Sequence, residues 1–207
     1  MTTFHAYAAG HLFGIALDAL RRASTAPSST SPAQADACVA AIMAAAALEA
    51  FINEVAFAAR DPLVVDQVVH RLGDALKAVE QASLESKYQI AHLCLVGLPY
   101  DQGAPPYQDF VLLIKLRNNI VHRRTETFAM SEDWERTSRN AVLEGLRTRG
   151  VVSTEAGEFM FIVETKAMAE WACNTVRSFA RHLVAAMPSD FQTQLQAMYP
   201  ILLNAAA

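Results

Sequence analysis

Residues 115–124, KLRNNIVHRR, hold four of the chain's seventeen lysines and arginines and not one acidic residue. In a protein of net charge −4 and pI near 5.8 that is a local anion-binding patch on an acidic molecule. Within it Arg117 and His122 offer complementary chemistry. A guanidinium grips a phosphate bidentately, and an imidazole exchanges protons near neutral pH. Cleavage of an RNA phosphodiester needs both. Lys115, Arg123 and Arg124 supply further charge for a substrate backbone. Asn118 stands four residues before His122 on the same helix face, where its amide can orient the imidazole or a bound phosphate. Five residues of regular helix separate Arg117 from His122 by about 140°. The helix must therefore end or distort near His122, or the arginine must reach round it.

The string Arg117-Asn118-Asn119-Ile120-Val121-His122 matches the R-x4-6-H motif of the HEPN superfamily, including the polar residue after the arginine. ALEAFINEVA at residues 47–56 is similar to that family's central helix, and SLESKY and MAEWACNTV also resemble it, in the expected order within residues 35–187. The resemblance implies an α-helical bundle that forms a homodimer, with the motifs of two protomers facing one cleft. In active members it implies a metal-independent endoribonuclease that uses no cofactor. HEPN toxins are often paired with a separate antitoxin chain, which would then be a partner here.

The mechanism follows from the atoms involved. A ribose 2′-hydroxyl attacks the adjacent phosphate while one group removes its proton and another protonates the leaving 5′-oxygen. One histidine cannot act as base and acid in the same step. A two-fold dimer brings His122 from each protomer to the site, and Arg117 from each stabilises charge on the phosphorane oxygens. The expected product carries a 2′,3′-cyclic phosphate. Glu49 and Asn53 lie four apart on an otherwise apolar helix, and a carboxylate buried there would require a partner. Glu49 is expected to position Arg117, or Asn53 the motif helix. Two other readings stay open: a catalytically inert HEPN dimer that binds a nucleotide, RNA or protein through the same cationic cleft, and a purely structural helical partner protein.

These side chains need a scaffold, and 207 residues suit one domain. With 53% hydrophobic residues, 8% aromatic, and only eight glycines and eight prolines, the balance is soluble and helix-rich. Residues 4–22 read as a first helix, and 22–34, with STAPSSTSP, as an exposed linker. A central buried helix follows over 35–58. Pro62 opens a segment to Glu80, and SLESKYQIAHLCL forms the next helix. VGLPYDQGAPPY is a loop before the helix QDFVLLIKLRNNIVH. A short helix covers 137–148, and VVSTEAGEFMFIV, with apolar runs on both sides of a glycine, suggests a small hairpin. Met168, Trp171, Thr175, Phe179, Leu183 and Met187 mark the core stripe of a long helix that Thr165 caps. Ser189 with Gln192 makes a capping box for a last helix. The expected fold is thus all-α, a four-helix-bundle-like core over 35–187 with extra terminal helices, in a single domain 1–207.

Several chemistries find no support in the residues. Cys38, Cys94 and Cys173 show no spacing for zinc or thiol exchange and fit a reduced, cytoplasmic setting. His5, His11, His70, His92 and His182 have no paired ligand spacing, so no metal site is expected. There is no G-x-S-x-G elbow, phosphate loop, G-x-G-x-x-G or H-E-x-x-H. The longest unbroken apolar run, 37–48, is too short to span a bilayer, which takes roughly twenty residues.

Overall fold

The chain is known from a computed structural model that describes residues 7–23, 32–121, 132–153 and 159–204. Its elements are helices, and no strand occurs among the described residues. They run α1 Ala8–Arg22, α2 Pro32–Ala58, α3 Gln67–Ala78, α4 Leu84–Val96, α5 Tyr107–Val121, α6 Glu132–Thr148, α7 Phe159–Val163, α8 Lys166–Ala185, α9 Ser189–Met198 and α10 Pro200–Leu203. The helices fall into two compact units. One comprises Met1–Gly14, Ala46–Gln108 and Val176–Ala207, the other Ile15–Ala45 and Asp109–Thr175.

In the first unit the α2 side chains Leu48, Phe51, Ile52 and Val55 are fully buried, as are Tyr88 of α4 and Phe179 of α8. The Tyr88 hydroxyl donates to the Leu48 carbonyl at 2.9 Å, so a polar atom in the core is satisfied. Phe51 meets Tyr199 edge to face with ring centres 5.2 Å apart. The Glu54 carboxylate accepts from the backbone N–H of Ala8, at 2.6 Å, and of Ala9, so a side chain distant in sequence caps the start of α1. Helices α3 and α4 pack on each other, each with a local start signal. Asp66 accepts from the N–H of Val68 and Val69, and Ser83 from that of Ser86. Gly97, in the left-handed region at φ 81°, ends α4.

The second unit buries Leu113 and Leu116 of α5 with Leu146 of α6 and Met168 of α8. Gly145 allows α6 to approach closely, since a Cβ there would stand 2.9 Å from Leu112 Cδ1. At its end α6 makes both bonds of a Schellman motif: Val151 N–H donates to Leu146 O at 2.9 Å and Gly150 N–H to Arg147 O at 2.8 Å, with Gly150 at φ 66°. Arg149 then forms an ion pair with Asp109 in the first turn of α5, tying the end of one helix to the start of the other.

Several expectations need correction. Within the expected hairpin, Phe159–Val163 is helical and Glu164 N–H donates to Met160 O at 2.9 Å, while residues 154–158 lie outside the described ones. An apolar run of five suits a helical turn as well as a strand. Pro62 does not open α3: Asp61 accepts from Leu63 N–H at 2.9 Å, which makes a turn there, and Asp66 caps the helix. The linker is shorter than 22–34, because Arg22 belongs to α1 and α2 starts at Pro32; residues 24–31 lie outside the described ones. Helix α6 begins before residue 137, at Glu132. Ser189 is the first residue of α9 rather than its cap and makes no capping bond, while Gln192 donates instead to Met187 O at 2.7 Å. The last helix is interrupted at Tyr199, because Pro200 has no N–H to continue it. Trp171 is half-buried, not core, whereas Thr165 caps α8 as expected, accepting from Met168 N–H at 3.2 Å. Taken at its full helical extent, Ala35–Ala58 is long and apolar enough to cross a membrane, with a mean hydropathy of 1.9, and 56% of that window is buried within the fold.

Candidate functional site

Helix α5 carries the first part of the cationic segment, with Lys115 and Arg117, and its sequence explains its orientation. Phe110, Leu113, Ile114 and Leu116 are buried, which turns Lys115, Asn118 and Val121 outward on a stripe of i, i+3, i+6 spacing. Arg117 is half-buried on the flank between the two faces. Its Nη1 donates to Asn118 Oδ1 at 3.0 Å, and Asn119 Nδ2 donates to Lys115 O one turn back at 2.8 Å. Arg117, Asn118 and Lys115 are thus brought together at the C-terminal end of α5, in the second unit. His122, Arg123 and Arg124 directly follow that end and lie outside the described residues.

Glu49 and Asn53 belong to the first unit. Both are exposed, not buried. They open a stripe along α2 at residues 49, 53 and 57, the spacing of one helix face, and Phe57 on it and Arg60 just beyond the helix end are exposed too. Asn53 Oδ1 accepts a hydrogen bond from Lys87 Nζ at 2.9 Å. The stripe forms one wall of a cavity of about 430 Å³, closed by Leu76, Lys77 and Glu80 of the α3 end and by Lys87 of α4. Lys77 pairs with Glu80 and holds its carboxyl below the usual carboxylate range.

Sequence reasoning missed Lys87, which lies in the SLESKY string yet is only 7% exposed. Its one local signal is a cation in the first turn of a helix, where the dipole disfavours it. Among the described histidines, His70 Nε2 lies 2.6 Å from Val64 O and His92 Nδ1 2.7 Å from Leu98 O, each a local backbone contact. His92 stacks on Tyr100, with His182 in parallel at 6.0 Å, and burial followed by the His92 charge lowers the pKa of His182. Cys38, Cys94 and Cys173 are free thiols. Burial pushes the Cys38 thiol up to about 12, and the Glu164 carboxylate, 3.9 Å away, adds to the shift. Among the described residues no group of three or more His, Cys, Asp or Glu is arranged to hold a metal.

Compared with known proteins, the chain matches no family model, no curated protein and no solved structure. Of the expected fold, the structure shows the all-helical character of the described residues.

Proposed function

We propose that the chain is a metal-independent endoribonuclease of the HEPN type, with Arg117 binding the scissile phosphate and His122 transferring protons. The observation that supports this reading most is the setting of Arg117. It lies at the last turns of an outward-facing helix end, its guanidinium tethered to the Asn118 amide at 3.0 Å, beside exposed Lys115. A guanidinium held by a neighbouring amide is pre-oriented at little entropic cost, and its planar fork matches the geometry of phosphate oxygens. Lys115 adds charge one step along the same surface, suited to a neighbouring phosphate of an RNA strand.

In this reading the 2′-hydroxyl attacks the phosphate in line, and Arg117 meets the negative charge as it grows on the equatorial oxygens. A histidine takes the 2′ proton and a second one supplies a proton to the 5′-oxygen. Since each chain offers one histidine in the motif, a homodimer is part of the proposal. Purified protein incubated with end-labelled RNA in excess EDTA tests it. Fragments ending in 2′,3′-cyclic phosphate, absent with His122→Ala, are the expected result. RNA that is bound and left intact by both proteins would favour the inert binding module instead.

A further inference from the structure

The ribonuclease reading makes no use of the cavity beside Lys87, and the inference drawn from it does not rest on that reading. Lys87 is only 7% exposed, and burying a charged side chain is costly unless opposite charge or hydrogen bonds replace the lost water. The acceptor that Lys87 meets is a neutral amide, Asn53 Oδ1 at 2.9 Å. One hydrogen bond to an amide satisfies one of three N–H donors, and the carboxylate that feels the Lys87 charge, Glu80, is exposed and already paired with Lys77. The helix worsens the imbalance, because Lys87 sits in the first turn of α4, at the positive end of the macrodipole. Two more cations, Arg60 and Lys77, stand at the rim. Lys77 is matched by Glu80, and Arg60 has Asp74 at 3.8 Å. Burial and helix position both ask for an anion at Lys87, and a cavity of about 430 Å³ opens there, within the size range of small-molecule sites.

We propose that this cavity binds a small organic oxyanion, a phosphate monoester or carboxylate carrying a flat apolar body. The oxyanion is held by Lys87 Nζ and the amide of Asn53, whose oxygen already orients the ammonium. The body lies along Phe57, whose side is 59% exposed on the cavity wall, and against Leu76. Arg60 at the mouth steers the anion in. Two carboxylates among the lining residues, Glu49 and Glu80, keep the site from accepting long polyanions and favour a single charged group.

The test is calorimetric titration of the intact protein, in phosphate-free buffer, with phenyl phosphate, benzoate and inorganic phosphate. The expected result is saturable one-site binding of phenyl phosphate or benzoate, the tighter of the two identifying the oxyanion, with inorganic phosphate at least about tenfold weaker for want of the ring. Asn53→Asp supplies Lys87 with the missing carboxylate, so it is expected to raise the Tm and abolish binding. Arg60→Gln, at an exposed position, is expected to weaken binding several-fold with an unchanged Tm. Arg117→Ala is expected to bind as the wild type does, which separates this site from the proposed RNA site. Absence of saturable binding of both aromatic anions up to about 5 mM would overturn the proposal. So would binding that Asn53→Asp leaves intact or that Arg117→Ala removes.

Discussion

Two neighbouring residues on α5 give a sharp test of how the motif helix is turned. Leu116 is fully buried and Lys115 is exposed. Truncating Leu116 to alanine removes three buried carbons, which at about 0.8 kcal/mol each amounts to about 2.4 kcal/mol of lost transfer energy. Incomplete collapse of the space left behind raises the total to about 3–4 kcal/mol. For a chain of 207 residues this corresponds to a fall in Tm of about 10 °C. Lys115→Ala removes a solvated side chain and is expected to stay within about 0.5 kcal/mol of wild type, under about 2 °C. Its effect should appear as weaker RNA binding with a shallower dependence on salt. Thermal melts by circular dichroism, paired with RNA titrations at two salt concentrations, read both quantities. If Lys115→Ala lowered the Tm as far as Leu116→Ala does, the assigned phase of α5, and with it the outward placement of Asn118, would be wrong.

Other outcomes follow from single contacts. Asp66→Ala leaves the first N–H groups of α3 without their acceptor and is expected to cost about 1 kcal/mol, a fall in Tm of a few degrees, whereas Asp66→Asn should recover most of it. Native protein should react with one equivalent of a thiol reagent quickly, at half-buried Cys94, and with the buried Cys38 and Cys173 only on unfolding. Because the Cys38 pKa is raised to about 12 from an ordinary value of 9.0, its contribution to stability is present below pH 9 and lost as pH climbs toward 12, so alkaline melts should show the decline. The imidazole of His182 should titrate below its usual 6.5 by NMR, and His92→Ala should move it partway back. With its folded pKa lowered, His182 stabilises the protein above pH 6.5 and loses that contribution as pH falls through the lowered value.

Where local chemistry decides the structure, the residues announced it. Apart from half-buried Trp171, the stripe from Met168 to Met187 and the Thr165 cap appear as expected, because a long helix repeats its message every turn. The loop from 97 to 106 is legible for the same reason, its glycines and prolines being unfit for a helix interior. Short apolar runs carry no such redundancy, and Phe159–Val163 is helical where apolar runs on both sides of a glycine pointed to a hairpin. Alanine hides direction as well. In α2 it fills inward and outward positions alike, so the exposure of Glu49 and Asn53 depends on which neighbours cover the helix. Arg117 and Asn118 were legible as a pair because they adjoin in sequence, while Lys87 and Asn53 meet across 34 residues, and nothing near either one foretells it.

Arg117 and His122 are proposed to perform the chemistry, and the single-turnover cleavage rate of one labelled RNA in EDTA by wild type, Arg117→Ala and His122→Ala tests this without intermediaries. Melting curves recorded in parallel confirm that all three are folded. Cleavage to 2′,3′-cyclic phosphate ends by wild type is expected, with a loss of at least about 100-fold in each variant, the scale of removing a proton-transfer or charge-stabilising group. Equal rates for the folded variants and wild type would contradict it.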